Sequence, residues 1–179
     1  MKHTITTHQL RGRRDLERDA KYLAPEAIRQ VSRAVNGRMP AVEITLTTPK
    51  GLAELGTQAE VELSGCTDRR TIDRARRTYM REARDHAGRA LPRSDGSVVV
   101  LVNADQHRTT EDLALTLVHE LTHAMQFSRR GVLDALVQDL RAAYRVERQS
   151  RRDARAFARV VEEHEREAYD TERLAKNLH

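Results

Sequence analysis

The patterning of this chain predicts an α+β fold, mainly helical, with a small sheet of about three strands packed on one central helix. Three observations carry that expectation. Apolar residues recur at helical spacing over most of the length, two segments alternate apolar and polar residues, and one run of five apolar residues reads as a strand covered on both faces. At 179 residues the chain is expected to form a single domain over 1–179, large enough to bury a core without staples.

Residues 1–11 read as a flexible arm or a short edge strand. From Gly12 to Val35, Leu16, Ala20, Leu23, Ala27, Ile28, Val31 and Val35 form a helical stripe. Pro25 suits a first helical position and is expected to restart the helix there, and Asn36-Gly37 stops it. This segment, roughly 1–40, either packs on the core or covers the active cleft.

Val42, Ile44 and Leu46 alternate with Glu43, Thr45 and Thr47 as a strand. A turn at Pro49-Lys50-Gly51 and a second strand through Ala59, Val61 and Leu63 are expected next, ended by Ser64-Gly65. Thr67 to about His86 repeats Ile72, Ala75, Tyr79 and Ala83 at helical spacing, with an arginine-rich opposite face read as solvated. A loop at Pro92 to Gly96 precedes the apolar strand Val98–Val102. That strand stands just before the central helix, where it can line a cleft or offer an edge to an extended peptide.

Thr109 to Phe127 is the central helix, opened by Thr109 and Asp112 in a capping box and closed by Arg129, Arg130 and Gly131. Leu133, Leu136, Val137, Leu140 and Tyr144 form another stripe. After a polar interruption at Gln149 to Asp153, Phe157, Val161, His164, Ala168 and Ala175 form the last.

Composition bounds the function classes. Cys66 is the only cysteine, so no intramolecular disulfide can form and no oxidising compartment is required. The N-terminus lacks an apolar signal region and no run of 18 apolar residues occurs, so a soluble cytoplasmic protein without a membrane partner is expected. The net charge of +5 invites a nucleic-acid partner, yet acidic residues are mixed among the basic ones. With an aromatic content of only 3%, that partner is possible but not favoured.

The chemistry is concentrated at Val-His-Glu-Leu-Thr-His, residues 118 to 123, an HExxH pattern. Four residues apart on a helix, His119 and His123 leave the same face and can reach one metal ion. Glu120 is turned about 100° from His119 and faces a metal-bound water as general base. One Zn2+ with a glutamate beside its water describes a hydrolase. A structural His-Glu-His on the helix surface is the competing reading.

Two histidines leave a catalytic zinc one protein ligand short. The extension HExxHxxGxxH is absent, because Gln126 and Arg129 occupy its glycine and third histidine positions. The acidic segment from Glu162 to Glu172 is the obvious source of a third ligand. Periodicity leaves Glu165 and Glu167 open, with Glu162, Glu163 and His164 behind them.

The chain resembles the gluzincins, metallopeptidases in which HExxH on one helix is completed by a glutamate on a later helix. In many members a small residue follows that glutamate by three positions and an acid by four. Glu165-Arg166-Glu167-Ala168 matches with Ala168, whereas Tyr169 stands where the acid would be, and Asp170 follows. The likeness covers about a third of the chain and is greatest to minimal gluzincins and small phage- or mobile-element-associated metallopeptidases. It implies a zincin-like fold, Glu165 as third ligand, and Tyr169 or His164 steadying the oxyanion, with Tyr144 further off.

The function expected is a zinc-dependent peptidase acting on a protein or peptide substrate. Two alternatives stand beside it: a nucleic-acid-associated adaptor with a vestigial zinc site, and an inactive, metal-stabilised interaction module. Cys66 and Asp68 suggest either a latency switch on the open zinc position or a small buried thiol beside a helix N-cap. His107, just before the motif helix, is a candidate to border the cleft.

Overall fold

In the computed structural model, which describes residues 2–178, the sheet has four strands rather than three, in the order β1-β2-β4-β3. They are β1 (His3–His8), β2 (Val42–Thr47), β3 (Gly88–Pro92) and β4 (Val98–Asn103). β1, β2 and β4 run parallel, and β3 closes one edge antiparallel to β4, with Gly88 opposite Val102 and Pro92 opposite Val98. The expected apolar strand is therefore interior. The strand that borders the cleft is β3, a segment the patterning left without an assignment.

Period-two alternation on β4 divides the protein into two layers of helix. Val98, Val100 and Val102 join the larger core with α1 (Arg14–Ala34) and α4 (Thr110–Phe127), while Val99 and Leu101 join a second core with α2 (Pro49–Ser64) and α3 (Arg69–Glu82). Burial of β4 on both faces is as its apolar run predicts. A third, small cluster gathers Cys66, Leu140 and Tyr144 where α2 and α3 meet α5 (Val132–Ala143). The chain then runs through α6 (Arg151–Thr171) into a 3-10 turn at Glu172–Asn177. No helix among the described residues is long and apolar enough to cross a membrane.

Two local expectations are corrected. Residues 59–63 are not a strand but part of α2, which starts at Pro49 behind the Thr48 N-cap and ends at Gly65 in the left-handed conformation, φ 68°. The alternation of Ala59, Val61 and Leu63 arises because a helix buries Leu52, Ala53, Gly56 and Glu60 on one face and half-buries its flanks. Pro25 does not restart α1, which is continuous. An interior proline costs about 3 kcal/mol. Leu23, Ala27, Ile28 and Val31 lie buried around it, and each fully buried leucine, isoleucine or valine returns roughly 1.5–3 kcal/mol, so packing wins.

Candidate metal centre

α4 forms where expected. The Thr109 side chain accepts from the Asp112 N–H while the Asp112 carboxylate accepts from the Thr109 N–H, the reciprocal capping box. Leu113, Leu117, Leu121, Ala124 and Met125 are buried toward α1 and the sheet, which turns His119 and His123 to the other side. There a cleft of about 740 Å³ lies between β3, α4, α5 and α6. None of the described residues before Asp85 lines it. The described part of the N-terminal segment, 2–40, therefore does not cover the cleft: α1 packs in the core on the far side of α4.

α6 crosses beside α4 and brings Glu165 to the two histidines. His119 Nε2 lies 3.1 Å from His123 Nε2, 3.5 Å separates it from Glu165 Oε2, and His123 Nε2 is 3.4 Å from Glu165 Oε1. Ligands about 2.0–2.1 Å from a tetrahedral ion lie about 3.3 Å from one another, so these three residues fit one zinc-sized ion.

The outer hydrogen bonds make Nδ1 the donor on each ring. His119 Nδ1 is 2.9 Å from Glu172 Oε1, and a carboxylate only accepts, so Nδ1 is the donor. His123 Nδ1 donates to Gln126 Oε1 at 2.8 Å, because the amide nitrogen of Gln126 is engaged with Glu167 Oε2 at 2.9 Å and the His164 carbonyl at 3.0 Å. In the neutral rings both Nε2 atoms then present lone pairs to each other and to the Glu165 carboxylate. Two ring nitrogens and both oxygens of one carboxylate thus converge on one point, where a shared cation or a proton on one Nε2 would hold them together.

Glu167 is placed differently from Glu165. Its carboxylate takes Arg129 Nη2 at 2.7 Å as well as the Gln126 amide, and those bonds hold it below the usual carboxylate range. The chain Arg129–Glu167–Gln126–His123 and the pair Glu172–His119 orient the two rings as outer partners orient metal-binding histidines. Sequence reasoning missed Gln126, Arg129 and Glu172 in these roles. Gln126 and Arg129 are the two positions that break the longer zinc signature, and that departure was the available signal.

Glu120 is buried at 6% exposure on the cleft floor. Desolvation pushes its carboxyl up to about 7, against the neighbouring His123 and a hydrogen bond from the Ala90 N–H on β3. Gly88 makes that approach of β3 possible: a β-carbon there would lie 2.7 Å from Thr116 Cγ2 and 2.9 Å from Glu120 Cγ.

Tyr169 is 64% exposed at the rim, its ring edge-on to His119 with centroids 4.9 Å apart. His164 lines the cleft half-buried, and burial pushes its pKa down. Tyr144 lies outside the cleft: it is buried and its hydroxyl donates to Glu60 Oε2 at 2.9 Å. His107 borders the cleft but is 1% exposed and fully engaged, donating from Nδ1 to the Asn103 carbonyl and accepting from the Thr116 hydroxyl. Cys66 sits in the third cluster with Sγ 3.7 Å from the Tyr144 carbonyl, away from the cleft, and Asp68 caps α3. The thiol is a small buried one and not a latency switch.

No family model matches the chain, and neither a curated protein nor a solved structure matches it.

Proposed function

We propose that this chain is a zinc-dependent peptidase of the gluzincin kind, with His119, His123 and Glu165 as ligands of one Zn2+ and Glu120 as general base. The observation that carries the proposal is the convergence of two Nε2 atoms and a carboxylate at the spacing of a tetrahedral ion. Bound there, zinc supplies Lewis acidity that lowers the pKa of water and polarises a carbonyl.

The rest belongs to the chain. Glu120, with a carboxyl near 7, can take a proton from water and return it to a leaving amine at neutral pH. Its burial under β3 keeps that carboxylate from bulk water. Tyr169 and His164 stand at the rim as candidate donors to a developing oxyanion. Beyond His123 the cleft wall is apolar, with Phe127, Val132, Leu136, Phe157 and Val161. The chain has only 2 phenylalanines, and both are on this wall. An exposed surface of this kind suits the apolar side chains of a peptide or protein substrate.

The test is Glu120→Gln in the full chain, with zinc content and hydrolysis of a quenched-fluorescence peptide library measured together. Hydrolysis lost with zinc retained is expected. A native protein that neither carries nor takes up zinc, or a Glu120→Gln variant as active as its parent, would sink the reading.

A further inference from the structure

The solvent face of α3 carries an arginine stripe that the metal centre does not use. Arg70, Arg74, Arg77 and Arg81 are spaced four, three and four residues apart, which places them in one row spanning about 16 Å along the middle of the exposed face. The opposite face buries Thr71 and Tyr79. Arg69, Arg76 and Arg84 flank the row and are also exposed.

Among the described residues, none of the four forms an ion pair. Arg81 donates to Thr78 Oγ1 at 3.1 Å, and the Asp68 carboxylate near Arg70 is committed to the Thr71 N–H. Exposed cations elsewhere are paired in part: Lys21 pairs with Glu17, Arg29 with Glu26, and Arg166 with Glu162, while Arg151, Arg152, Arg155 and Arg159 at the start of α6 form no ion pair either. Like charges three and four residues apart repel and cost a helix a few tenths of a kcal/mol per pair. α3 repeats that unfavourable spacing three times in a row, with Asp73, three residues from Arg70 and four from Arg77, offsetting part of it.

We propose that this stripe docks the protein on the phosphate backbone of duplex nucleic acid. Guanidinium forks bind phosphate oxygens in two-point contacts, and a row of them needs no base reading. The face has no aromatic platform for single strands: of the exposed large apolar residues Tyr22, Leu115, Val146, Val161 and Tyr169, none is on α3. The same absence removes the apolar side that an interfacial membrane helix inserts. α3 ends at the rim of the cleft, which Asp85 and His86 help to line. Docking therefore leaves the metal centre open and brings a nucleic-acid-bound protein toward it. The inference does not rest on peptidase activity.

The experiment is fluorescence-anisotropy titration of the intact protein with a labelled 20-base-pair DNA duplex between 50 and 200 mM salt, with phosphatidylserine vesicles as a separate arm. Four phosphate contacts give a slope of log K against log salt near −3.6, or roughly a hundredfold loss over that range. Replacing Arg70, Arg74, Arg77 and Arg81 together by alanine is expected to remove most of that slope. Replacing Arg151, Arg152, Arg155 and Arg159 together, an equal loss of exposed charge on α6, is expected to leave most of it. No binding by the parent at 50 mM salt, equal effects of the two sets, or binding to vesicles but not duplex overturns the proposal. A melting curve accompanies each variant; if the α3 set does not fold, Arg74→Glu and Arg77→Glu singly are read against Arg155→Glu in the same titration.

Discussion

Gly88→Ala isolates the contact between the edge strand and Glu120, the proposed general base. Gly88 pairs with Val102 and needs no unusual φ, so alanine is admissible in the backbone and only space opposes it. Its β-carbon would stand 2.7 Å from Thr116 Cγ2, 2.9 Å from Glu120 Cγ and 3.1 Å from Glu120 Oε1. Comfortable carbon contacts are about 3.5–4.0 Å, so close to 1 Å must be found. Either β3 lifts from α4, drawing the Ala90 N–H away from Glu120, or the Glu120 and Thr116 side chains turn. Overpacking of this size costs about 1–3 kcal/mol, which for a chain of this length lowers Tm by roughly 3–9 °C. A displacement approaching 1 Å at a reacting group lowers kcat up to about a hundredfold. The proposed zinc ligands are untouched, so zinc content is expected to stay at the parental level. Thermal melting, metal analysis and peptide turnover on one preparation check it. A variant with parental Tm and parental kcat would refute the claim that Gly88 sets the position of Glu120.

Gln126→Leu removes the link between His123 and Glu167, and Glu172→Gln weakens the one on His119; each is expected to weaken zinc affinity about 10–100-fold by competition with a chelating dye. Parental affinity in both would show that the rings need no outer support. Tyr169→Phe is expected to lower kcat about tenfold or more with zinc affinity unchanged; an unchanged kcat would leave the ring as packing on His119 alone. Arg89→Ala strands Glu60, which is nearly buried and whose Oε1 takes Arg89 Nη2 at 2.8 Å. The cost is about 2–3 kcal/mol, under the range for a fully buried pair because the Arg89 side chain keeps 37% of its exposure. Burial already raises the Glu60 carboxyl and Arg89 opposes that rise. The native state thus binds more protons than the unfolded chain above the ordinary glutamate pKa, and stability from this group is lost as pH rises through the folded value. Removing Arg89 widens that window, so the Tm deficit of Arg89→Ala should grow from pH 5 to pH 8 and shrink again when Glu60→Gln is added. A deficit independent of pH would contradict this.

The helices that carry the site were readable because their signals are local. Thr109 and Asp112 announce the start of α4 and that cap forms, while Ser150 and Asp153, read only as part of a polar interruption, prove to be the N-cap and first turn of α6. α2 was misread although Thr48-Pro49 at one end and Gly65 at the other are helix punctuation. The half-buried flanks of this helix imitate a strand's alternation over five residues. β3 gave little to read: Gly88-Arg89-Ala90-Leu91-Pro92 has weak strand propensity and no alternation, and its extended form comes from pairing with β4. The polar β1 is likewise extended because β2 offers it an edge.

For the candidate metal centre the division is the same. That His119 and His123 share a face, with Glu120 turned aside, follows from the period of one helix and holds in any fold that keeps α4 helical. The choice of Glu165 over Glu167 does not, since both are on α6 and only the way α6 crosses α4 points one carboxylate at the histidines and the other at Arg129 and Gln126. The same is true of Glu172 on His119, of Tyr144 buried against Glu60, and of a glycine on β3 that lets Glu120 be covered. These pairs are separated by tens of residues along the chain. Local backbone preference is silent about them, and they come together only when the apolar faces of the helices and sheet are buried at once.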